Sequence, residues 1–206
     1  AISTDPYFLW VTNSFGNSVS IFNSSGTSTT TLAQYQVPGL LGVLTNLPFT
    51  QPNGVAIDPN LNKAYILNKA GLNPNPLLPN SDFVLSFDLT NLPANPGANT
   101  TLTGTFLIQG LNGPSGIAAQ PSTGRIFIAD TSNDLLKVFS AAGGNNPILS
   151  FGAAGNANGQ FNNPSAVAVV DTAVSPIWVT DQDNNRLQIF NADGTIRKVT
   201  PTFRGV

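Results

Sequence analysis

Apolar residues in this chain fall in short runs broken by Pro, Gly and Asn, and nowhere do they keep a sustained 3.6-residue period. Alternation, with enrichment in aromatic and β-branched residues, marks the runs as strands rather than helices. The runs also recur in a fixed order. Asn53-Gly-Val-Ala-Ile57, Ser115-Gly-Ile-Ala-Ala119 and Ser165-Ala-Val-Ala-Val169 each open a block. A second strand is predicted at 8–11, 64–67, 125–128 and 176–179, and a third ends in a shared aromatic at Phe22, Phe87, Phe139 and Phe190. Weaker fourth strands are predicted at 105–108, 148–151 and 196–199, with Gln34-Tyr-Gln-Val37 as the counterpart in the first block.

The shared Phe residues stand 65, 52 and 51 positions apart, and 38 across the joined chain ends, so the repeat is in phase with the length of 206. Four short strands at this period predict an all-β fold, a β-propeller of four-stranded blades. The reading gives one repeat domain over 1–206, with four blades at about 1–50, 51–111, 112–158 and 159–203. The variation between blades falls in insertions: Asn73-Pro-Asn-Pro-Leu-Leu-Pro79 is predicted to be an irregular loop, because proline removes ladder donors. A second insertion contains Gly39-Leu-Leu-Gly-Val-Leu-Thr45.

A fourth block opener exists only across the ends, where Arg204-Gly-Val206 followed by Ala1-Ile2 matches Asn53-Gly-Val-Ala-Ile57. The inner strand of the first blade is therefore expected to be split, with Ala1, Ile2, Gly205 and Val206 forming an assembly seam. A severed strand leaves an unpaired edge that templates pairing with another chain. Closure on itself as a four-bladed ring, head-to-tail association with another copy, and continuation in a longer polypeptide all satisfy that edge.

The block Gly159-Gln-Phe-Asn-Asn-Pro-Ser-Ala-Val-Ala-Val-Val-Asp171, followed by Ile177-Trp-Val-Thr-Asp181, Asn184-Asn-Arg-Leu-Gln-Ile-Phe190 and Asp193-Gly194, resembles the NHL repeat family. The resemblance is specific there, good in the third block and looser in the first two. It implies that each repeat is a propeller blade. Closed members of the family usually have six, so four repeats favour the two head-to-tail readings.

Composition narrows the function. Charged residues are 9% of the chain against about 25% in ordinary domains, while the hydrophobic share of 41% is that of a folded protein. Polarity comes from Asn, Thr, Ser and Gly, which points to an extracellular or cell-surface protein. A net charge of −2 supplies no basic stripe for nucleic acid, and no apolar run reaches the ~18 residues of a membrane span. The sequence contains no Cys, which removes disulfides and thiolate metal sites, and no Met, which suggests a processed or excised product. Asn23 and Asn99 fit the N-glycosylation sequon.

Candidate chemistry is sparse. Asp181-Gln-Asp-Asn-Asn185 has the opening spacing of a calcium loop, but position six is Arg186 and the sequence has no Glu for position twelve. The same places hold Asp130 with Asp134, and Asn13 with Asn17, which favours a recurring Asx hairpin turn. Arg186 beside Asp181 and Asp183 reads as a surface ion pair worth under ~1 kcal/mol. Trp10 and Trp178 occupy matching second-strand places and are read as blade-to-blade packing rather than ligand stacking. With no His, Cys or Glu, acid–base catalysis would rest on Asp, Lys or Tyr. Propeller enzymes that resemble this family carry metal sites with His or Glu among their ligands, and no such residue exists here. The expectation is therefore a non-catalytic structural or interaction propeller without cofactor or metal, partnered by copies of itself or adjoining repeats. A glycan- or peptide-binding module is the alternative.

Overall fold

In the computed structural model, residues 2–4, 8–23, 25–38, 44–69, 82–90, 92, 102–172 and 175–200 are described. They build an all-β structure whose strands assemble into four antiparallel four-stranded sheets and one two-stranded sheet. The chain divides into two compact units, Ala1–Gly110 and Leu111–Val206.

In the first unit, β1 (Ile2–Thr4), β2 (Phe8–Asn13), β3 (Ser18–Asn23) and β4 (Ser28–Leu32) form the first sheet in sequence order. The hairpin β5 (Gln34–Pro38) and β6 (Leu44–Pro48) follows. The second sheet runs β7 (Pro52–Asp58), β8 (Lys63–Asn68), β9 (Asp82–Asp88) and β10 (Gly104–Leu111). The second unit repeats this plan. Its third sheet is β11 (Gly116–Gln120), β12 (Arg125–Asp130), β13 (Leu135–Ser140) and β14 (Leu149–Phe151). The fourth is β15 (Pro164–Val169), β16 (Ile177–Asp181), β17 (Arg186–Phe190) and β18 (Ile196–Val199).

Register makes the four sheets comparable residue by residue. Phe22, Phe87, Phe139 and Phe190 pair across to Leu9, Ala64, Ile126 and Ile177, so the shared aromatics are equivalent. Phe87, Phe139 and Phe190 are buried, whereas Phe22 is half-buried. Because side chains alternate across a pleated strand, each sheet has two distinct faces.

One face of the first sheet, through Trp10, Val19, Ile21 and Leu32, packs on Val55, Ile66, Leu85 and Phe87 of the second. In the second unit, Phe127, Ala129, Leu136 and Val138 of the third sheet pack in the same way on Val167, Ile177, Val179 and Phe190 of the fourth. Each fully buried aliphatic or aromatic side chain contributes roughly 1.5–3 kcal/mol by its removal from water. At Gly116 the third sheet comes close to the fourth, since a Cβ there would stand 2.8 Å from Ala166 Cα.

Three expectations are corrected. The fourth strand of the first sheet is Ser28–Leu32, not Gln34–Val37, which instead pairs with 44–48 in the separate hairpin. That hairpin turns Tyr35, Leu47 and Phe49 into the first core, with Tyr35 and Phe49 ring centres 5.0 Å apart. Part of the insertion read as a loop is thus strand. Second, Ile2 pairs with Val11 as Val55 pairs with Ile66, so Ile2 is the counterpart of Val55 and not of Ile57. Third, the Asp181–Arg186 pair is buried rather than on the surface. Of the seam, only Ile2 falls within the described residues; Ala1, Gly205 and Val206 lie outside them, as do 72–81 and Asn99.

Candidate functional site

Every second strand ends in an Asn or Asp: Asn13, Asn68, Asp130 and Asp181. Four residues later, Asn17, Asp134 and Asn185 adopt left-handed backbone with φ of 47°, 52° and 50°. Asn and Asp tolerate that conformation best among non-glycine residues, which is why the turn sequence recurs. The Asx turn expected from the sequence is therefore the geometry at these places.

Asp181 is completely buried, and both its carboxylate oxygens are engaged. Oδ1 accepts the Asn162 amide at 2.7 Å and the Asn184 side chain at 3.1 Å. Oδ2 accepts Arg186 Nε at 2.7 Å, Asn184 Nδ2 at 2.9 Å and Gln188 Nε2 at 3.0 Å. The Arg186 guanidinium then donates to the carbonyls of Asn156, Ala157 and Gln160 at 2.7–2.9 Å. Gln188 also donates to Gln160 O and accepts the Gly159 amide. This knot folds the 155–160 loop back onto the fourth sheet. Charged groups survive burial only when paired and fully hydrogen-bonded, and here they are.

Asp130 repeats the arrangement with a lysine. It accepts Lys137 Nζ at 2.6 Å, the Asn133 side chain at 2.8 Å and the Asn112 amide at 2.7 Å. In the second sheet Asn68 serves the Thr50 amide and hydroxyl, both at 2.9 Å. Each of these side-chain oxygens is occupied by N–H donors, and the Thr50 hydroxyl accepts from Asn68 Nδ2. No group of three or more potential metal ligands occurs among the described residues. Asp183 is exposed and accepts the Asn163 side chain.

Two further polar features were not legible in the sequence. Asp58 Oδ2 and the Tyr65 hydroxyl are buried with no hydrogen-bond partner among the described residues. Burial, and to a lesser extent the Asp58 charge, pushes the Tyr65 phenol above its ordinary range. Between the third and fourth sheets, Ser115 Oγ donates to Ser165 O at 2.9 Å and Thr131 Oγ1 to Pro164 O at 2.7 Å.

Trp10 and Trp178 are equivalent, pairing with Ile21 and Ile189 on their third strands. Trp10 is buried between the first and second sheets, while Trp178 is 37% exposed. Pro176, Ile189, Arg197 and Lys198 surround Trp178 in a shallow depression. A second open cleft on the fourth sheet is lined by Ser165, Ala166, Thr180, Asn185, Arg186 and Leu187 among others.

No protein-family profile matches the chain, and no curated protein matches it. Among solved structures it is similar to one titled Kuenenia stuttgartiensis hydrazine synthase, with a TM-score of 0.59 and 15% identity over 96% of this chain. The likeness is one of fold alone. The chain spans 47% of the length of that structure's chain. No helix among the described residues is long and apolar enough to cross a membrane.

Proposed function

We propose that the four sheets are NHL-like propeller blades and that the chain is a non-catalytic structural or interaction module. Its partners are further sheets of the same kind, on other copies of itself or on adjoining repeats. The observation that carries this reading is the Asp181 knot. The repeated acidic position, which in an enzyme would be poised toward substrate or metal, is spent on fastening a loop within its own sheet. Asp130 is spent in the same way. The sequence holds no His, Cys or Glu to replace them. A low charged fraction of 9%, balanced by Asn, Thr and Ser, supports an extracellular or cell-surface setting.

The exposed Trp178 favours a second reading, a module that stacks a glycan or peptide on that ring. Light scattering coupled to gel filtration separates the two. A scaffold elutes as a multiple of its 21.5 kDa mass. A ligand module elutes as a monomer whose Trp178 emission responds to an oligosaccharide or peptide panel. Elemental analysis tests the non-catalytic reading, which a stoichiometric transition metal would contradict.

A further inference from the structure

We propose that the open face of the fourth sheet, centred on Trp178, is the docking surface for the first sheet of a second copy of this chain. The proposal rests on the scaffold reading above and names the two surfaces that meet.

The template is the packing seen twice within the chain. When the first sheet covers the second, Trp10, Val19 and Ile21 are lost from solvent entirely. When the third covers the fourth, Phe127, Leu136 and Val138 are at most 2% exposed. By register, the fourth sheet presents Trp178, Leu187 and Ile189 at those same places. Trp178 is 37% exposed, Leu187 is half-buried, and Ala166 and Ala168 beside them are exposed. Ile189 is 7% exposed, so the open places on this face are those of Trp178, Ala166 and Ala168. The complementary deficit lies on the first sheet. Its other face carries Leu9, Val11, Ser20 and Phe22, all half-buried. Their equivalents Ile177, Val179, Gln188 and Phe190 are each at most 1% exposed under the third sheet.

Hydrogen bonding repeats the pattern. Asn17 Oδ1 accepts the amide of Gln51, just before the second sheet begins, at 2.8 Å. Asp134 Oδ1 accepts the amide of Asn163, just before the fourth, at 2.9 Å. Asn185 holds the equivalent left-handed position on the fourth sheet, is exposed, and has Oδ1 with no donor among the described residues. Ser165 stands where Ser115 donates to the following sheet, and it lines the same cleft as Asn185. The open face thus offers an apolar centre and two hydrogen-bonding groups in the places that fasten one sheet to the next.

Charge selects the first sheet as occupant. Arg197 and Lys198 border Trp178, and the segment of the first sheet, residues 2–32, contains Asp5 but no Lys or Arg. A second copy's first sheet therefore meets the basic margin without like charge. The fourth sheet packed on itself would set Lys198 and Arg197 against their own copies, which is repulsive.

Sedimentation velocity of the intact chain and of Trp178→Asp and Phe22→Asp variants tests the pairing. The unsubstituted chain is expected to sediment as an assembly, and each variant alone as a monomer. A mixture of the two is expected to form a 1:1 complex that stops at two chains, because each variant keeps one working face. Ala168→Lys, at an exposed position, and Ser20→Lys, in place of a small polar side chain, probe the same two faces without removing an aromatic ring and are expected to give the same result. An assembly that persists in both variants, or variants that fail to complement while the parent assembles, overturns the assignment of faces and leaves the scaffold reading standing. A parent chain that stays monomeric at every concentration overturns this pairing and self-assembly with it, and leaves adjoining repeats as the partner in the scaffold reading.

Discussion

Arg186 Nε lies 2.7 Å from Asp181 Oδ2, with the arginine side chain 8% exposed and the aspartate not exposed at all. A pair this deep is worth little as an attraction by itself, because desolvation offsets the Coulomb term. Removing one partner is a different matter. Asp181→Ala strands a buried guanidinium and frees the 155–160 loop, and is expected to cost about 3–5 kcal/mol in urea unfolding. Replacing both residues together should recover part of that loss. A double variant no better than Asp181→Ala would show that the carboxylate acts mainly on the amides and not on Arg186.

The shared phenylalanines should not be energetically equal. Phe87→Ala and Phe139→Ala open cavities in filled cores and are expected to cost about 3–5 kcal/mol each. Phe22→Ala should cost clearly less in dilute monomer, since that ring is only partly buried. Thermal and chemical denaturation at low protein concentration gives the ranking. Equal losses at all three positions would contradict the one-sided exposure of the first sheet.

Tyr65 offers a test in the opposite direction. Among the described residues its hydroxyl is buried without a partner, and Asp58 Oδ2 is in the same condition. An unsatisfied buried hydroxyl carries a desolvation cost with nothing to offset it. Tyr65→Phe is therefore expected to leave stability unchanged or raise it by up to about 1 kcal/mol. A loss above that range would mean that the hydroxyl has a partner, such as a buried water.

Acid should weaken the protein through two exposed turns. Hydrogen bonds from Thr90 hold the Asp88 carboxyl below its ordinary range, and bonds from Thr195 do the same for Asp193. A carboxyl depressed in the folded state stabilises above its unfolded value of about 3.9, and that contribution disappears as pH falls through the lower folded value. Stability should therefore decline below roughly pH 4, and Asp88→Asn with Asp193→Asn should flatten that decline. An unchanged acid limb in the double variant would assign it to other carboxylates.

The sequence carried the strand order because three strands of each sheet alternate or run apolar, and their register is held by the shared aromatic. It failed where alternation is weak. The run Ser28-Thr-Thr-Thr-Leu32 is almost wholly polar, whereas Gln34-Tyr-Gln-Val37 alternates and attracted the assignment. The Asx turn was legible in Asp181-Gln-Asp-Asn-Asn185, since local backbone chemistry dictates it. The burial of Asp181 was not, because it depends on Asn156, Ala157 and Gln160 returning from some 25 residues earlier in the chain. The equivalence of Trp10 and Trp178 was also visible, but their unequal exposure was not, because it depends on which sheet has a neighbour.

That inequality supplies the most direct test of the assembly claim. In a Trp10→Phe variant, Trp178 is the only indole, and its emission reports on the open face of the fourth sheet. The account predicts a blue shift and reduced acrylamide quenching as concentration rises from nanomolar to tens of micromolar, tracking the sedimenting mass. Adding the Phe22→Asp substitution should abolish both changes. Emission that stays red and equally quenched while the chain assembles would contradict the account, because the copies would then be meeting elsewhere.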